Sequence, residues 1–267
     1  MKIAIIGTGN LGSSIAKGLI KNKSFTSLYL SDRNTSAVKD FEDEDYVTIT
    51  NYNTEAVMNS EVVIFALQPR HIESVLEEVA PKITNKHVVM SVAAGFEISR
   101  IESIIGSNEN IIRVMPNTAI SIGKSMTCIS ANKKGEEKIE LAKDIFNQLG
   151  TTMVIPEEQI QAATVICASG IAFWMRLVRA TTQGAIQLGF EAEEAHNLAL
   201  QTCYGAASLL KESGRHPEAE IDRVTTPSGC TIAGLNEMEH QGLSSALIQG
   251  ITAVSYTHLT LPTTSRV

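Results

Sequence analysis

The chain has 267 residues, 43% of them hydrophobic, enough for one large or two modest domains at about 100–200 residues each. Its net charge of −7 and pI near 5.4 argue against nucleic acid or an anionic membrane as the main partner. No run of consecutive apolar residues approaches the roughly 18 of a membrane span, so no membrane partner is expected.

Lys2–Gly12 reads K-I-A-I-I-G-T-G-N-L-G. An apolar run, Ile3 to Ile6, ends in Gly7-Thr8-Gly9-Asn10-Leu11-Gly12, and Ser13–Leu19 continue with helical spacing. In this strand–turn–helix context G-x-G-x-x-G is a dinucleotide fingerprint. Gly7 allows the turn, Gly9 lets backbone approach a pyrophosphate, and Gly12 lets the helix pack against the strand. The predicted helix, from near Asn10 to about Asn22, would hold the phosphates at its N-terminus. Asp32 follows about 20 residues past Gly12, after the predicted strand Leu28–Leu30. An acid there bonds the ribose 2′-OH of NAD, and a nearby Arg accepts the 2′-phosphate of NADP. Asp32 and Arg33 stand side by side, so these residues leave NADH and NADPH both open.

Val47–Ile49 is a short third strand. Val62–Leu67 is wholly apolar, the mark of a buried parallel strand, and it runs through Ala66 into Gln68-Pro69. Pro69 can open a helix, and Arg70–Val79 follows with apolar Ile72, Val75, Leu76 and Val79. Val88–Val92 is another buried strand. It leads to Ala93-Ala94-Gly95, small residues that leave room for a flat ring where open α/β sheets bind ligands. Ile111–Met115 ends in Pro116-Asn117-Thr118, and strands Met126–Ser130 and Thr152–Ile155 flank a helix Glu136–Leu149.

The alternation stops near Pro156, and the pattern to about Val254 is helical. Ile160–Cys167 leads to a long stretch ending near Leu188, then Glu191–Glu212, with Gly189 and Gly214 as stops. Small residues recur here, among them Gly184, Ala195, Ala199 and Gly205, and they predict helices packed against a second subunit. Cys128, Cys167, Cys203 and Cys230 are far apart and form no C-x-x-C. That pattern speaks against a metal site or a disulfide framework and for a reducing, cytoplasmic setting. The chain opens straight into its first strand, with no room for a signal peptide.

The expected fold is α/β: a Rossmann-type doubly wound sheet over residues 1–157, then an all-α dimerisation and substrate domain over 158–254. Residues 255–267 form an atypical tail, polar, β-branched and broken by Pro262. It reads as foreign to the fold and dispensable.

A second chemical stretch, Arg223–Glu239, reads R-V-T-T-P-S-G-C-T-I-A-G-L-N-E-M-E. Thr225, Thr226 and Ser228 are helix-capping types, Pro227 suits a first helical position, and Ile232, Leu235 and Met238 have helical spacing. Its exposed N–H groups suit a carboxylate, and the same residues equally suit a plain capped helix. His216, before Pro217 on a predicted loop, and Trp174, the single tryptophan, read as structural residues.

From Met1 to about Val254 the chain resembles pyrroline-5-carboxylate reductase, the last enzyme of proline synthesis. The matching segments are Gly7–Gly12, Ala66–Pro69, Ser91–Gly95, Arg113–Asn117, Gln201–Ala207, His216-Pro217 and Val224–Leu235. The resemblance implies a homodimer with interleaved helical domains, in many members assembled into decamers. It implies a cyclic imino acid substrate at the dimer interface, its carboxylate held by backbone N–H groups of Ser228, Gly229, Cys230 and Thr231. Thr231 Oγ1 would bond the imine nitrogen, and the nicotinamide would lie near Ala93–Gly95 and Met115–Asn117. The implied cofactor is NADPH, with NADH possible.

The chain departs from that family at Gln68-Pro69, where Lys-Pro is usual, and at Ser228, where glycine is usual. The first loses a positive charge, and the second leaves another cyclic imino acid open as substrate. No His, Lys or carboxylate falls inside the matched motifs, so the imine is expected to arrive protonated or to take its proton from water. A β-hydroxyacid dehydrogenase would need a catalytic lysine on the interdomain helix, and none occurs between Lys143 and Lys211. A non-catalytic nucleotide-binding dimer is the remaining alternative; the intact Gly7–Gly12 and Thr231 argue against it.

Overall fold

The computed structural model describes residues 1–23 and 25–260, with side chains to Val254. The described chain divides into two compact units, Met1–Ala168 and a second that begins at Ser169.

The first unit alternates strands and helices: β1 (Lys2–Ile6), α1 (Asn10–Asn22), β2 (Ser27–Ser31), β3 (Val47–Thr50), α2 (Asn53–Met58), β4 (Val62–Phe65) and α3 (Pro69–Val79). It continues with β5 (Val88–Ser91), α4 (Ile98–Ile105), β6 (Asn110–Met115), β7 (Ser125–Ala131), α5 (Ile139–Phe146), β8 (Gly150–Val154) and α6 (Glu157–Ala163). The strands form one eight-stranded sheet in the order β3-β2-β1-β4-β5-β6-β7-β8. All pairs are parallel except β6 with β7, where Met115 faces Cys128.

Alternation along the strands explains why the sheet is covered on both sides. In β1, Ile3 and Ile5 enter one core, while Ala4 and Ile6 enter the other. In β4, Val62 and Ile64 join the first core, and Val63 and Phe65 the second. Helix α1 covers the first with Ile15, Ala16, Leu19 and Ile20, at helical spacing. Helix α3 covers the second with Ile72, Leu76 and Val79. Each fully buried side chain of this kind contributes about 1.5–3 kcal/mol. Because β1 lies between β2 and β4, the strand order reverses at β1. This opens a crevice at the carboxyl ends of β1 and β4, the usual ligand position in such sheets.

The unit reaches Ala168, later than the expected end at residue 157, because Ile160 of α6 packs with Met115 and Cys128. That cluster also includes Cys167, so two cysteines distant in sequence share one small core. Burial first, then the neighbouring Cys167, pushes the Cys128 thiol up to about 11. Helices α2 and α4 were not expected.

The second unit contains α7 (Gly170–Gln187), α8 (Ala192–Ser213), α9 (Pro217–Val224), α10 (Cys230–His240) and α11 (Leu243–Thr260). The expected stops hold. Gly189 has φ +102°, and Gly214, at +61°, caps α8 with its N–H on the Leu210 carbonyl. A reciprocal Glu191/Glu194 capping box opens α8. His216 caps α9, its Nδ1 accepting from the Glu218 N–H at 3.3 Å, so the predicted loop is a helix start. Helix α11 runs to Thr260, beyond the expected domain end at Val254; the rest of the predicted tail lies outside the described residues.

Few side chains of this unit are buried within the chain. Trp174 is 61% exposed and Leu188 is 83% exposed in the single chain. Helical backbone is continuous from Glu157 to Gln187, 31 residues with a mean hydropathy of 1.4 over an 18-residue window. By length and composition this helix could cross a membrane, although no unbroken apolar run within it reaches 18 residues. Thr164, Ser169 and Gly170 interrupt every apolar run, but their neighbours keep the average high.

Candidate dinucleotide and carboxylate sites

The glycine loop is built as its spacing predicts. Gly7 sits at φ +96°, and its N–H donates to the Ser31 carbonyl at 2.8 Å. A Cβ at Gly7 would come within 2.6 Å of the Ala66 carbonyl oxygen, and a Cβ at Gly12 would run into the Gly7 carbonyl oxygen. The close approach of α1 to β1 therefore admits only hydrogen at position 12. At Gly9 the opposite holds: a Cβ there would meet nothing within 4 Å.

Three observations test whether this loop fits a diphosphate. The N-terminus of α1 has no side-chain cap and no acid in its first turn, so its N–H groups are open. The space above Gly9 is empty of protein atoms. The Thr8 hydroxyl, 1% exposed as a residue, has no hydrogen-bond partner. All three suit an anion seated on the loop.

Asp32 stands just after β2, where its spacing predicts, and also holds the loop together. Its Oδ2 accepts from the Thr8 N–H at 2.6 Å and its Oδ1 from the Asn34 N–H at 3.0 Å. The carboxylate thus ties the glycine loop to the tip of β2. A cleft of about 620 Å³ opens beside it. Gly7, Gly9, Asp32, Arg33, Ala66 and Gln68 line it, which brings six of the predicted cofactor residues together. Arg70, His71, Asn51 and Asn53 line it too. The rule that ligands gather at strand carboxyl ends could have found Arg70, which directly follows Gln68-Pro69.

The predicted nicotinamide residues are placed less uniformly. Ala94 and Gly95 form an exposed turn after β5, with Gly95 at φ +70° and nothing within 4 Å of a Cβ there. Ala93 and Met115 are buried. The Asn117 side chain is internally engaged: Oδ1 accepts from the Ala119 N–H at 3.0 Å, and Nδ2 donates to the Cys167 carbonyl at 2.9 Å. These two bonds tie the Asn117 carboxamide to the backbone at Ala119 and Cys167. A smaller pocket of about 290 Å³ beside Gly95 is lined by Arg113 and Glu157. Arg113 Nη1 donates to Glu157 Oε1 at 3.0 Å, and the same oxygen accepts from the Ile98 N–H at 2.8 Å. Sequence reasoning missed Glu157, because nothing local marks a partner so distant in the chain.

In the second unit, Pro227 does not open the helix. The Gly229 N–H donates to the Thr226 carbonyl at 2.9 Å, closing a turn with Pro227 second and Ser228 third. Ser228 has φ +59°. A proline followed by a left-handed residue is the type II pattern, which favours glycine at the third place. A serine there costs about 1–2 kcal/mol. Helix α10 then starts at Cys230 with Gly229 as N-cap, no side-chain cap and no acid in its first turn. The N–H groups of Cys230 and Thr231 are open to an anion, and the exposed Thr231 stands in the first turn.

Comparisons with known proteins identify the family. A family model described as "NADP oxidoreductase coenzyme F420-dependent" matches residues 2–95, and one described as "Pyrroline-5-carboxylate reductase dimerisation" matches residues 157–259. Pyrroline-5-carboxylate reductase 2 of Dictyostelium discoideum is 40% identical over 93% of this chain and 89% of its own length. The chain belongs to the pyrroline-5-carboxylate reductase family. Pyrroline-5-carboxylate reductase 1 of the same organism is 44% identical over 95% of this chain, which spans 48% of that relative's length. A solved pyrroline-5-carboxylate reductase from Coxiella burnetii superposes with a TM-score of 0.90 at 29% identity, covering 96% of each chain. The long apolar helix Glu157–Gln187 falls inside the segment matched by the dimerisation model.

Proposed function

We propose that the chain reduces 1-pyrroline-5-carboxylate to L-proline, the final step of proline biosynthesis, as a cytoplasmic homodimer or higher homo-oligomer. The observation that carries the reading is the open N-terminus of α10 behind the Thr226–Gly229 turn, in a chain whose first unit holds a dinucleotide cradle. The nicotinamide supplies the hydride. Gly9 and the N-terminus of α1 hold the diphosphate, Arg33 meets the 2′-phosphate of NADPH, and the open Ala94-Gly95 turn receives the ring.

The N–H groups at Ser228–Thr231 hold the substrate carboxylate, and Thr231 Oγ1 accepts a hydrogen bond from the protonated imine nitrogen, and later from the amine. The protein contributes orientation and electrostatics, with no titratable side chain acting as the acid. Free cysteines fit the reducing compartment. Exposed Trp174, Met175, Leu198 and Tyr204 supply the apolar surface a partner subunit covers.

The test is NADPH oxidation with pyrroline-5-carboxylate by wild type, Thr231→Ala and Thr231→Ser. A hydrogen bond to a charged group contributes about 1.5–3 kcal/mol. Thr231→Ala should therefore lower kcat/KM roughly 10- to 100-fold, with Thr231→Ser in between. Agreement of the Ala variant with wild type within about threefold would leave Thr231 as a helix-start residue only. The Ser228 side chain at positive φ favours one second reading, the reductase of another cyclic imino acid. Higher kcat/KM with another imine in the same assay would establish it.

A further inference from the structure

The first unit contains four arginines: Arg33, Arg70, Arg100 and Arg113. Arg100 pairs with Glu73 and Arg113 with Glu157. The other two both line the dinucleotide cleft. Among the described residues, neither Arg33 nor Arg70 has a carboxylate within ion-pair distance.

The acids of the same cleft are engaged by other donors. Asp32 is held by the Thr8 and Asn34 N–H groups. Glu78 Oε2 accepts from Asn53 Nδ2 at 3.0 Å, and Asn53 Oδ1 accepts from Ser31 Oγ at 2.8 Å. Two guanidinium groups therefore stand in the cleft without an ion-pair partner: Arg33 at the tip after β2, and Arg70 in the first turn of α3.

Arg70 is also oriented. Its Nε donates to His71 Nε2 at 3.1 Å, which requires a neutral imidazole protonated at Nδ1. That bond leaves both Nη groups free to fork onto an anion. Helix α3 begins with Gln68 as N-cap and no side-chain cap, so the helix end adds positive potential beside Arg70. The diphosphate already has its seat at Gly9 and α1, and the tip of β2 is the ribose end of such a cleft.

We propose that Arg70, positioned by His71, closes with Arg33 on the 2′-phosphate of the adenosine ribose. The cleft then selects the phosphorylated dinucleotide over the unphosphorylated one through a charge on each wall. This rests on the reading of the cleft as a dinucleotide site.

The test is calorimetric binding of NADP⁺, NAD⁺, 2′,5′-ADP and 5′-AMP, with melting curves to verify folding. Wild type should bind 2′,5′-ADP more tightly than 5′-AMP. Arg70→Ala should weaken NADP⁺ and 2′,5′-ADP roughly tenfold, about 1.4 kcal/mol, and change NAD⁺ and 5′-AMP less than twofold. Arg33→Ala with Arg70→Ala should erase the discrimination. His71→Phe should lose part of it, and His71→Gln, whose side-chain oxygen still accepts from Nε, should restore it. Equal loss for both dinucleotides on Arg70→Ala, or no loss for either, overturns the assignment while leaving the cleft reading intact. Failure of wild type to bind either dinucleotide overturns the cleft reading itself and the assignment with it.

Discussion

The glycine loop offers a contrast in which one methyl group tests binding and another tests folding. At Gly12 an added Cβ would overlap the Gly7 carbonyl oxygen and lie 3.2 Å from the Ala66 Cβ. Neither neighbour is the end of a flexible side chain, so α1 must slide away from β1. Overpacking costs about 1–3 kcal/mol, and a contact against backbone belongs at the top of that range. The better helix propensity of Ala returns about 0.8–1 kcal/mol. The net loss, about 2 kcal/mol, should lower Tm by roughly 4–8 °C for a chain of this size.

At Gly9 the backbone has φ −63° and ψ −166°, which Ala adopts freely, and the added Cβ meets no atom within 4 Å. Its folding cost is that of Ala in place of Gly at an N-cap, about 1 kcal/mol or less. The methyl does occupy the diphosphate's approach. Losing two charge-assisted hydrogen bonds at about 1.5–3 kcal/mol each should weaken NADPH binding by roughly 10²- to 10⁴-fold. Thermal melts and NADPH titrations of both variants provide the assay. If Gly9→Ala binds NADPH within about threefold of wild type, or Gly12→Ala melts with it, the reading of the loop is wrong.

The Arg113–Glu157 pair should respond asymmetrically. Glu157→Ala strands a buried guanidinium and the Ile98 N–H, at about 3 kcal/mol, the low end for a broken buried pair because Glu157 reaches solvent. That corresponds to a Tm loss of roughly 6–12 °C. Arg113→Met removes the charge with its partner still partly hydrated and should lose less; the reverse order in the melts would show that the pair is not the strut described. Cys128, pushed up to about 11 by burial and by Cys167, is a protonated thiol at pH 8. Iodoacetamide should modify it only after denaturation, as read by peptide mass spectrometry. Its ordinary value is 9.0, so between about pH 9 and 11 the unfolded chain binds fewer protons and stability falls as pH rises. Cys128→Ala should flatten that part of the stability profile, and an unchanged profile would refute the assignment.

The central strands were legible because a sheet buried on both faces writes itself as unbroken apolar runs. Val62–Phe65 and Val88–Ser91 serve two cores at once and leave no polar alternation. The short helices α2 and α4 were missed because 6 and 8 residues hold too few turns for a periodic signal. Pro227 was misplaced for a different reason. Its fixed φ near −65° suits both a first helical position and the second place of a turn. What separates them is the Gly229-to-Thr226 hydrogen bond, which local spacing does not reveal. Asp32 holding Thr8 and Glu157 holding Arg113 belong to the same class. Each residue type is visible in the sequence, but its partner is supplied by the fold.

The helix starts themselves separate by purpose. Acids occupy the first turns of α2, α5, α6, α8 and α9. Helix α4 has none of its own, but the Glu157 carboxylate accepts its first N–H, and α7 continues helical backbone that began at Glu157. Among α1–α10 that leaves α1, α3 and α10, each with neither a capping side chain nor a first-turn acid. An uncapped first turn leaves donors unsatisfied and a positive dipole end unopposed. Under the proposed function these three starts stay open for an outside anion to complete. Helices α1 and α3 border the dinucleotide cleft, and α10 follows the strained Ser228 turn. The phosphates of the cofactor and the carboxylate of the substrate are the anions that the reaction brings. Arg33 and Arg70 line the cleft that α3 borders, and Ser228 directly precedes the N-cap of α10, so substitutions at these three positions test selectivity while leaving the backbone donors in place.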